Sequence, residues 1–300
     1  MVSMIHTPLT PDLPIAEAAR QMMAEQLAIV YEHLPALRQN ADPPAVHETR
    51  KAIRRTFTLF KLFAPVFAPH ELEPHRRTLR RLMRRLGPCR DLAVFRQKLA
   101  AYNDAAGQPL LVLAEYVEER QAKVDKRLRR YLERPKVHRR LQRYRRFTAT
   151  AGAGLPTGNG RTAPLLVRHA LPTLVFQRLG AVRAFGDVLP TATAAQFHQL
   201  RIQFKELRYT LTFFEELLGE TSGRIIEMTR LMQDHLGTLN DASVATALLI
   251  ALDCCPEEVA IYGDYQSAEL ARLTEEFHPL YAAFDRPDIR QVLALTVASL

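Results

Sequence analysis

The sequence predicts an all-α protein built as two similar antiparallel helical bundles, and three observations carry the prediction. Leu, Ala, Arg, Glu and Gln dominate the 300 residues while long runs of Val, Ile and Thr are missing, a balance that favours helix over strand. Apolar residues recur three and four apart in one segment after another. A helix with a histidine- and arginine-bearing face appears twice, with similar sequence following each copy.

Taken in order, residues 1–13 read as a flexible lead. Pro14 suits the first position of a helix, and over 15–37 Ala19, Met22, Met23, Leu27, Val30 and Leu34 form a core stripe. Asp42-Pro43-Pro44 starts a second helix, with Asp42 as N-cap, that reaches about residue 63 before Pro65 and Pro69 interrupt it. Residues 74–86 read as a third helix with Leu79, Leu82, Met83 and Leu86 inward and Arg77, Arg80, Arg81 and Arg84 on the opposite side. Gly87-Pro88 is expected to stop it. Arg90-Asp91 then opens a fourth helix to about residue 103, where Asp91 serves as an N-cap or pairs with a motif arginine. Helices over 110–132 and 136–148 complete a first bundle, residues 14–148.

Residues 149–164 lose periodicity, concentrate Gly and Pro, and read as a linker. The second bundle, 165–300, replays the first. A helix over 165–185 is kinked or broken at Pro172. The second motif helix spans 194–218, one over 224–236 ends at Gly237, and Asn240-Asp241 opens another to about 253. Helices over 256–277 and 287–299 close the chain.

The repeated helix is specific. In the first copy His47, Arg50, Lys51 and Arg54 share an arc of about 100°, with Arg55 at its edge, while Ile53, Phe57 and Phe60 point the other way. In the second, His198, Arg201, Lys205 and Arg208 share a face opposite Phe197, Leu200, Phe204, Leu207 and Leu211. Downstream, Leu82-Met83, Leu86-Gly87, Arg90-Asp91 and Val94 are matched by Leu231-Met232, Leu236-Gly237, Asn240-Asp241 and Val244, with one residue inserted. Order, spacing and residue type agree, which reads as an internal duplication.

Charge divides unevenly. Residues 1–150 hold 29 Lys+Arg against 15 Asp+Glu, and residues 151–300 hold 12 against 17, so halves of +14 and −5 make up the net +9. Such an excess on one half points to an anionic partner. No stretch is apolar enough to cross a membrane, and the start lacks the charged and apolar regions of a secretory leader. Cys89, Cys254 and Cys255 make neither a disulfide framework nor a four-ligand metal site. They read as reduced thiols, with no metal and no cofactor expected.

The motifs His47-x-x-Arg50-x-x-x-Arg54-Arg55, Leu86-Gly87-x-x-Arg90-Asp91, His198-x-Leu-Arg201-x-x-x-Lys205-x-x-Arg208-Tyr209 and Leu236-Gly237-x-x-Asn240-Asp241, in that order, resemble the CHAD family, the conserved histidine α-helical domain. The likeness runs from about residue 15 to the C-terminus. It implies two pseudo-symmetric bundles around a basic cavity or groove, binding of inorganic polyphosphate, and no catalysis by the domain itself. No segment resembles the triphosphate-handling domain fused to some members, so the chain reads as a stand-alone copy. It departs from the family pattern at Phe57, Gln203 and Glu206, where members commonly carry basic residues.

The residue chemistry suits such a ligand. Polyphosphate offers closely spaced anionic oxygens and no bases. Arginine answers with a planar fork that stays charged when partly buried, lysine with a point charge, and histidine with one or two donors according to protonation. Helical spacing puts successive donors about 5.4 Å apart. The expected binding set is therefore His47, Arg50, Lys51, Arg54, Arg55, Arg77, Arg80, Arg81, Arg84, Arg90, His198, Arg201, Lys205, Arg208 and Tyr209, with no catalytic residue.

Two other functions compete. A nucleic-acid binder would fit the basic half, but aromatic stacking platforms are not interleaved with the arginines and no RRM or zinc-finger motif appears. A phosphoanhydride-processing enzyme would use His47 or His198, yet there is no Walker-type loop and no acidic metal triad. The expected setting is cytoplasmic, with polyphosphate granules as the place such binding would lead.

Overall fold

The structure is a computed structural model that describes residues 8–105, 107, 109–156, 165–252 and 254–298. Among them the chain is all helical, with a single isolated backbone bridge between Pro14 and Leu166. The first half holds α1 (Ile15–Asn40), α2 (Pro43–Leu62), α3 (Glu73–Ala105), α4 (Leu111–Leu132) and α5 (Pro135–Ala149). The second holds α6 (Val167–Arg183), α7 (Ala194–Phe213), the short α8 (Glu215–Leu218), α9 (Thr221–Ile250), α10 (Pro256–Phe284) and α11 (Pro287–Ala298).

Local chemistry sets the two motif helices. Asp42 caps α2 by accepting from the Ala45 amide at 2.9 Å, with prolines at its first turn. Thr193 and Gln196 form a reciprocal capping box at the start of α7, a signature written in the sequence as Thr-x-x-Gln. Of the expected apolar faces, α2 buries Ile53 and Phe60 and half-buries Phe57, and α7 buries Phe197, Leu200, Phe204, Leu207 and Leu211.

Within the first half α1 packs on α2, α2 on α3 and α3 on α4. Within the second α6 packs on α7, α7 on α9 and α9 on α10. Across the halves α1 meets α6, α2 meets α7, α3 meets α9 and α4 meets α10, so these four helices of the first half each touch one of the second, taken in the same order along the chain. Phe63 and Phe214, which follow α2 and α7, stack edge-to-face at 6.4 Å between ring centres. The hydrophobic core runs continuously through both halves.

The expected breaks at Gly87-Pro88 and Gly237 do not occur. α3 runs unbroken for 33 residues with Pro88 inside it, and α9 for 30 residues through Gly237. An interior proline costs about 3 kcal/mol. Leu86, Cys89, Leu92 and Phe95, all at most 6% exposed, return about 1.5–3 kcal/mol apiece for the large apolar ones, so burial outweighs propensity. Pro172 likewise lies inside α6 without ending it. The expected helix over 194–218 does end early: Phe214 leaves helical geometry, buried against Phe63, and α8 makes a separate turn up to Gly219. α10 continues past 277 to bury Tyr281 and Phe284.

The described part of the expected flexible lead is tied down. Leu13 and Pro11 accept from the Val167 and Arg168 amides, and Leu9 and Leu13 pack on the core. Of the expected linker, residues 157–164 lie outside the described residues.

Candidate functional site

Four helices, two from each half, wall a cavity of about 500 Å³. α2 contributes His47, Arg50 and Arg54; α3 contributes Arg90, Asp91 and Lys98; α7 contributes His198 and Arg201; and α9 contributes Gln233, Asp234, Asn240 and Asp241. Six of the residues expected from sequence therefore meet at one place: His47, Arg50, Arg54, Arg90, His198 and Arg201.

Arg54 is where the walls join. Its charge lowers the proton affinity of His47 and Arg50 on its own side and of Arg201 and Lys205 across the cleft. Burial is the larger cause in every one of those cases. Lys205, half-buried behind Arg54 and Arg201, is pushed down to about 8 by burial first, then by those two cations; Glu206 acts the other way. His47 is held below its usual value by burial and then by Arg90.

The guanidinium groups are only partly satisfied. The buried Nε atoms of Arg50, Arg54, Arg55, Arg201 and Arg208 have no hydrogen-bond partner among the described residues. Arg50 reaches a single carboxylate, Asp91, through Nη2 at 3.4 Å. That carboxyl is shifted up by burial, pulled back by Arg50 and raised further by Asp241. A half-buried cation cluster with idle donors is costly to fold and chemically ready for an anion. His198 donates through Nδ1 to Asn240 Oδ1 at 2.8 Å, which turns Nε2 to the free edge of the ring.

The remaining expected residues lie elsewhere. Arg55 and Arg208 stack on the buried Tyr209 ring at 5.7 and 5.3 Å, and Arg55 also on Phe213 at 5.0 Å. Tyr209 is therefore a platform for arginines and not part of the cavity wall. Lys51 turns to Glu48 at 3.3 Å. Lys205 stands behind the lining. Arg77, Arg80, Arg81 and Arg84 lie on α3 outside the cavity.

Sequence reasoning missed several groups. Asp91 was expected at a helix start. The unbroken α3 removes the N-cap alternative and leaves the pairing with Arg50, and Asp241 sits at the matching position of α9. Lys98 stands eight residues beyond Arg90, on the same face of α3, and that spacing was legible once the helix is continuous. Glu206 is buried and ion-paired with Lys61 at 2.7 Å and Arg178 at 3.0 Å, which explains an acid where the family pattern favours a base: it ties α2, α6 and α7 together. Phe57, a second of the three departures, packs against the core.

The described cysteines are all free, and burial pushes the Cys89 thiol up to about 12, which makes it inert. Among the described residues no group of three or more His, Cys, Asp or Glu is placed to hold a metal ion, and no helix is long and apolar enough to cross a membrane.

The family model of the CHAD domain matches residues 21–250. The crystal structure of the CHAD domain from the plant Ricinus communis is similar with a TM-score of 0.67 at 23% identity, covering 98% of this chain and 95% of that one. PptA from Streptomyces chartreusis is similar with a TM-score of 0.67 at 15% identity, covering 90% of this chain and 100% of that one. At these identities the likeness is one of fold. No curated protein matches the sequence.

Proposed function

The chain belongs to the CHAD domain family, and from that membership we propose that it binds inorganic polyphosphate in the cavity between its halves, without cleaving it. The observation that carries the reading is the set of buried, unpartnered guanidinium Nε atoms on Arg50, Arg54 and Arg201, contributed by both halves to one cavity. An anion with closely spaced charges would satisfy several of them at once, and charge-assisted bonds to phosphate are the strong kind.

The way the histidines are held supports binding without turnover. His198 is bonded to an amide, Asn240, and the nearest carboxylate to His47, Glu48, stands at 3.7 Å. Neither is arranged as a base on a nucleophile. In a cell this binding would draw the protein to polyphosphate granules in the cytoplasm.

The test is titration with polyphosphate of the wild type and of Arg50→Ala/Arg54→Ala, with helicity monitored. Binding lost in the variant at wild-type helicity supports the reading. Equal displacement of polyphosphate by RNA or DNA at matched charge would replace it with a nucleic-acid function. Chain shortening in the presence of a divalent metal, abolished by His47→Ala, would replace it with catalysis.

A further inference from the structure

Arg77, Arg80 and Arg84 lie outside the cavity, but they do not face an arbitrary side of α3. At 100° per residue with Arg90 as origin, the cavity-lining Val94, Lys98 and Asp91 stand at about 40°, 80° and 100°. On the same scale Arg80, Arg84 and Arg77 stand at about 80°, 120° and 140°. Because α3 passes unbroken through Gly87-Pro88, this is one stripe. From Arg77 to Arg90 it covers 13 residues, about 20 Å of helix. All three arginines are exposed. Arg80 and Arg84 have no ion-pair partner among the described residues, and Arg77 stands 3.8 Å from a glutamate, Glu73, that it shares with Arg76.

The other half supplies the contrast. Aligning Asn240 with Arg90, the same offsets on α9 fall on Glu227, Arg230 and Asp234. There Arg230 binds Glu227 at 2.7 Å and Asp234 at 2.9 Å, so the triad is closed on itself. At the junction on α3 sits Gly87, on the stripe at about 60°. A Cβ there would stand 3.2 Å from Nη1 of Arg50, so the missing side chain lets a cavity arginine lie against the helix where the stripe leaves the cavity.

Resting on the polyphosphate reading, we propose that this α3 arm is an exterior extension of the binding track. A long polyphosphate chain leaves the cavity past Gly87 and runs along Arg84, Arg80 and Arg77, while the α9 arm, whose one arginine is held between two carboxylates, offers no such exit. The cavity then decides whether a chain binds. The arm adds affinity only for chains long enough to reach it, through counterion release at exposed arginines.

The experiment titrates tripolyphosphate and long-chain polyphosphate against the wild type and Arg80→Ala/Arg84→Ala. These side chains are exposed, and near-wild-type circular dichroism checks the fold. Long-chain affinity is expected to fall roughly tenfold at low salt, with tripolyphosphate unchanged. The slope of log affinity against log salt for the long chain should become shallower by about 1.4, at roughly 0.7 per lost contact for a single-stranded polyanion. Unchanged affinity for both ligands, or an equal loss for both, overturns the arm while leaving the cavity reading in place. A wild type that binds neither ligand removes the polyphosphate reading and the arm with it.

Discussion

The α2–α3 wall and the α7–α9 wall are built on one plan and loaded differently. The first carries His47, Arg50, Arg54, Arg90 and Lys98 against one carboxylate, Asp91. The second carries His198 and Arg201 against Asp234 and Asp241, with the amides of Gln233 and Asn240 between them. Behind the second wall Lys205 is already pushed down to about 8, and Glu206 is spent on Lys61 and Arg178. The two walls are thus unequal in charge: the first brings five basic residues, histidine included, to the cavity, and the second brings two together with two amides. A site with both walls fully cationic would carry a larger folding penalty for unpaired buried charge.

The largest effect should come from pitting the walls against each other. Arg50→Ala/Arg54→Ala is expected to weaken polyphosphate binding about a hundredfold or more, at about 1.5–3 kcal/mol per charged hydrogen bond. Arg201→Ala/Lys205→Ala should cost about tenfold, since Lys205 stands behind the lining and acts on the ligand by charge alone. Equal losses in calorimetric titrations would erase the asymmetry.

Next is the tie between the halves. Glu206→Gln leaves Arg178 buried without its carboxylate and should lower stability in urea unfolding by about 2 kcal/mol, a partly screened case of a broken buried pair because Lys61 is half-exposed. No loss would mean that the walls are held by apolar packing alone.

Lys205 makes the second wall sensitive to pH. Its free-state value of about 8 lies below the ordinary 10.5. A bound polyanion should draw it back up, so binding takes up a proton between those values. Affinity should fall as pH rises through that window, by up to about tenfold per unit for one linked proton. The ligand-free protein should behave oppositely. With a depressed folded value, the Lys205 contribution to stability is present above the unfolded value and is lost as pH falls through about 8. Titrations in buffers of different ionisation enthalpy measure the uptake, and Lys205→Met should abolish it.

Two matched glycines give a finer comparison. Gly237→Ala meets nothing within 4 Å and should stabilise α9 by up to about 1 kcal/mol through helix propensity. Gly87→Ala gains the same propensity but pushes on the Arg50 guanidinium, so it should weaken polyphosphate binding while leaving thermal stability unchanged or raised. The smallest effect should come from opening the second arm. Glu227→Gln, outside the cavity, removes one of the two carboxylates that hold Arg230 and should strengthen long-chain binding about twofold, with no change for tripolyphosphate.

Much of this was legible in the chain. The two His/Arg faces, the Asp42 cap, the buried stripes and the helical class follow from spacing and residue type. What sequence reading missed came from tertiary burial overruling local signals. Gly87-Pro88 and Gly237 carry strong stop signals, yet Leu86, Cys89 and Leu92 on one helix and Leu236, Leu239 and Ala242 on the other are too deeply buried for the helix to end there. The arginines from Arg77 to Arg84 do stand opposite the buried Leu79, Leu82 and Leu86, as the spacing says, but splitting the helices hid what the continuous one shows: Lys98 shares a face with Arg90, and Arg77, Arg80 and Arg84 lie along the same stripe. Tyr209 was misplaced because a motif position looks the same in sequence whether it lines the cavity or stacks under arginines outside it.

One end of the molecule bears on synthesis. A second apolar cluster joins Leu92, Phe95, Leu99, Leu113 and Val117 of the first half to Ala245, Leu249 and Tyr262 of the second. The first half therefore leaves the ribosome with half a seam. From Val117 to Tyr262 is 145 residues, so at 5–20 residues per second the seam stays uncovered for roughly 7–30 s. A nascent chain stalled near residue 200 should be retained by chaperones that recognise exposed apolar surface, and the released full-length chain should escape them.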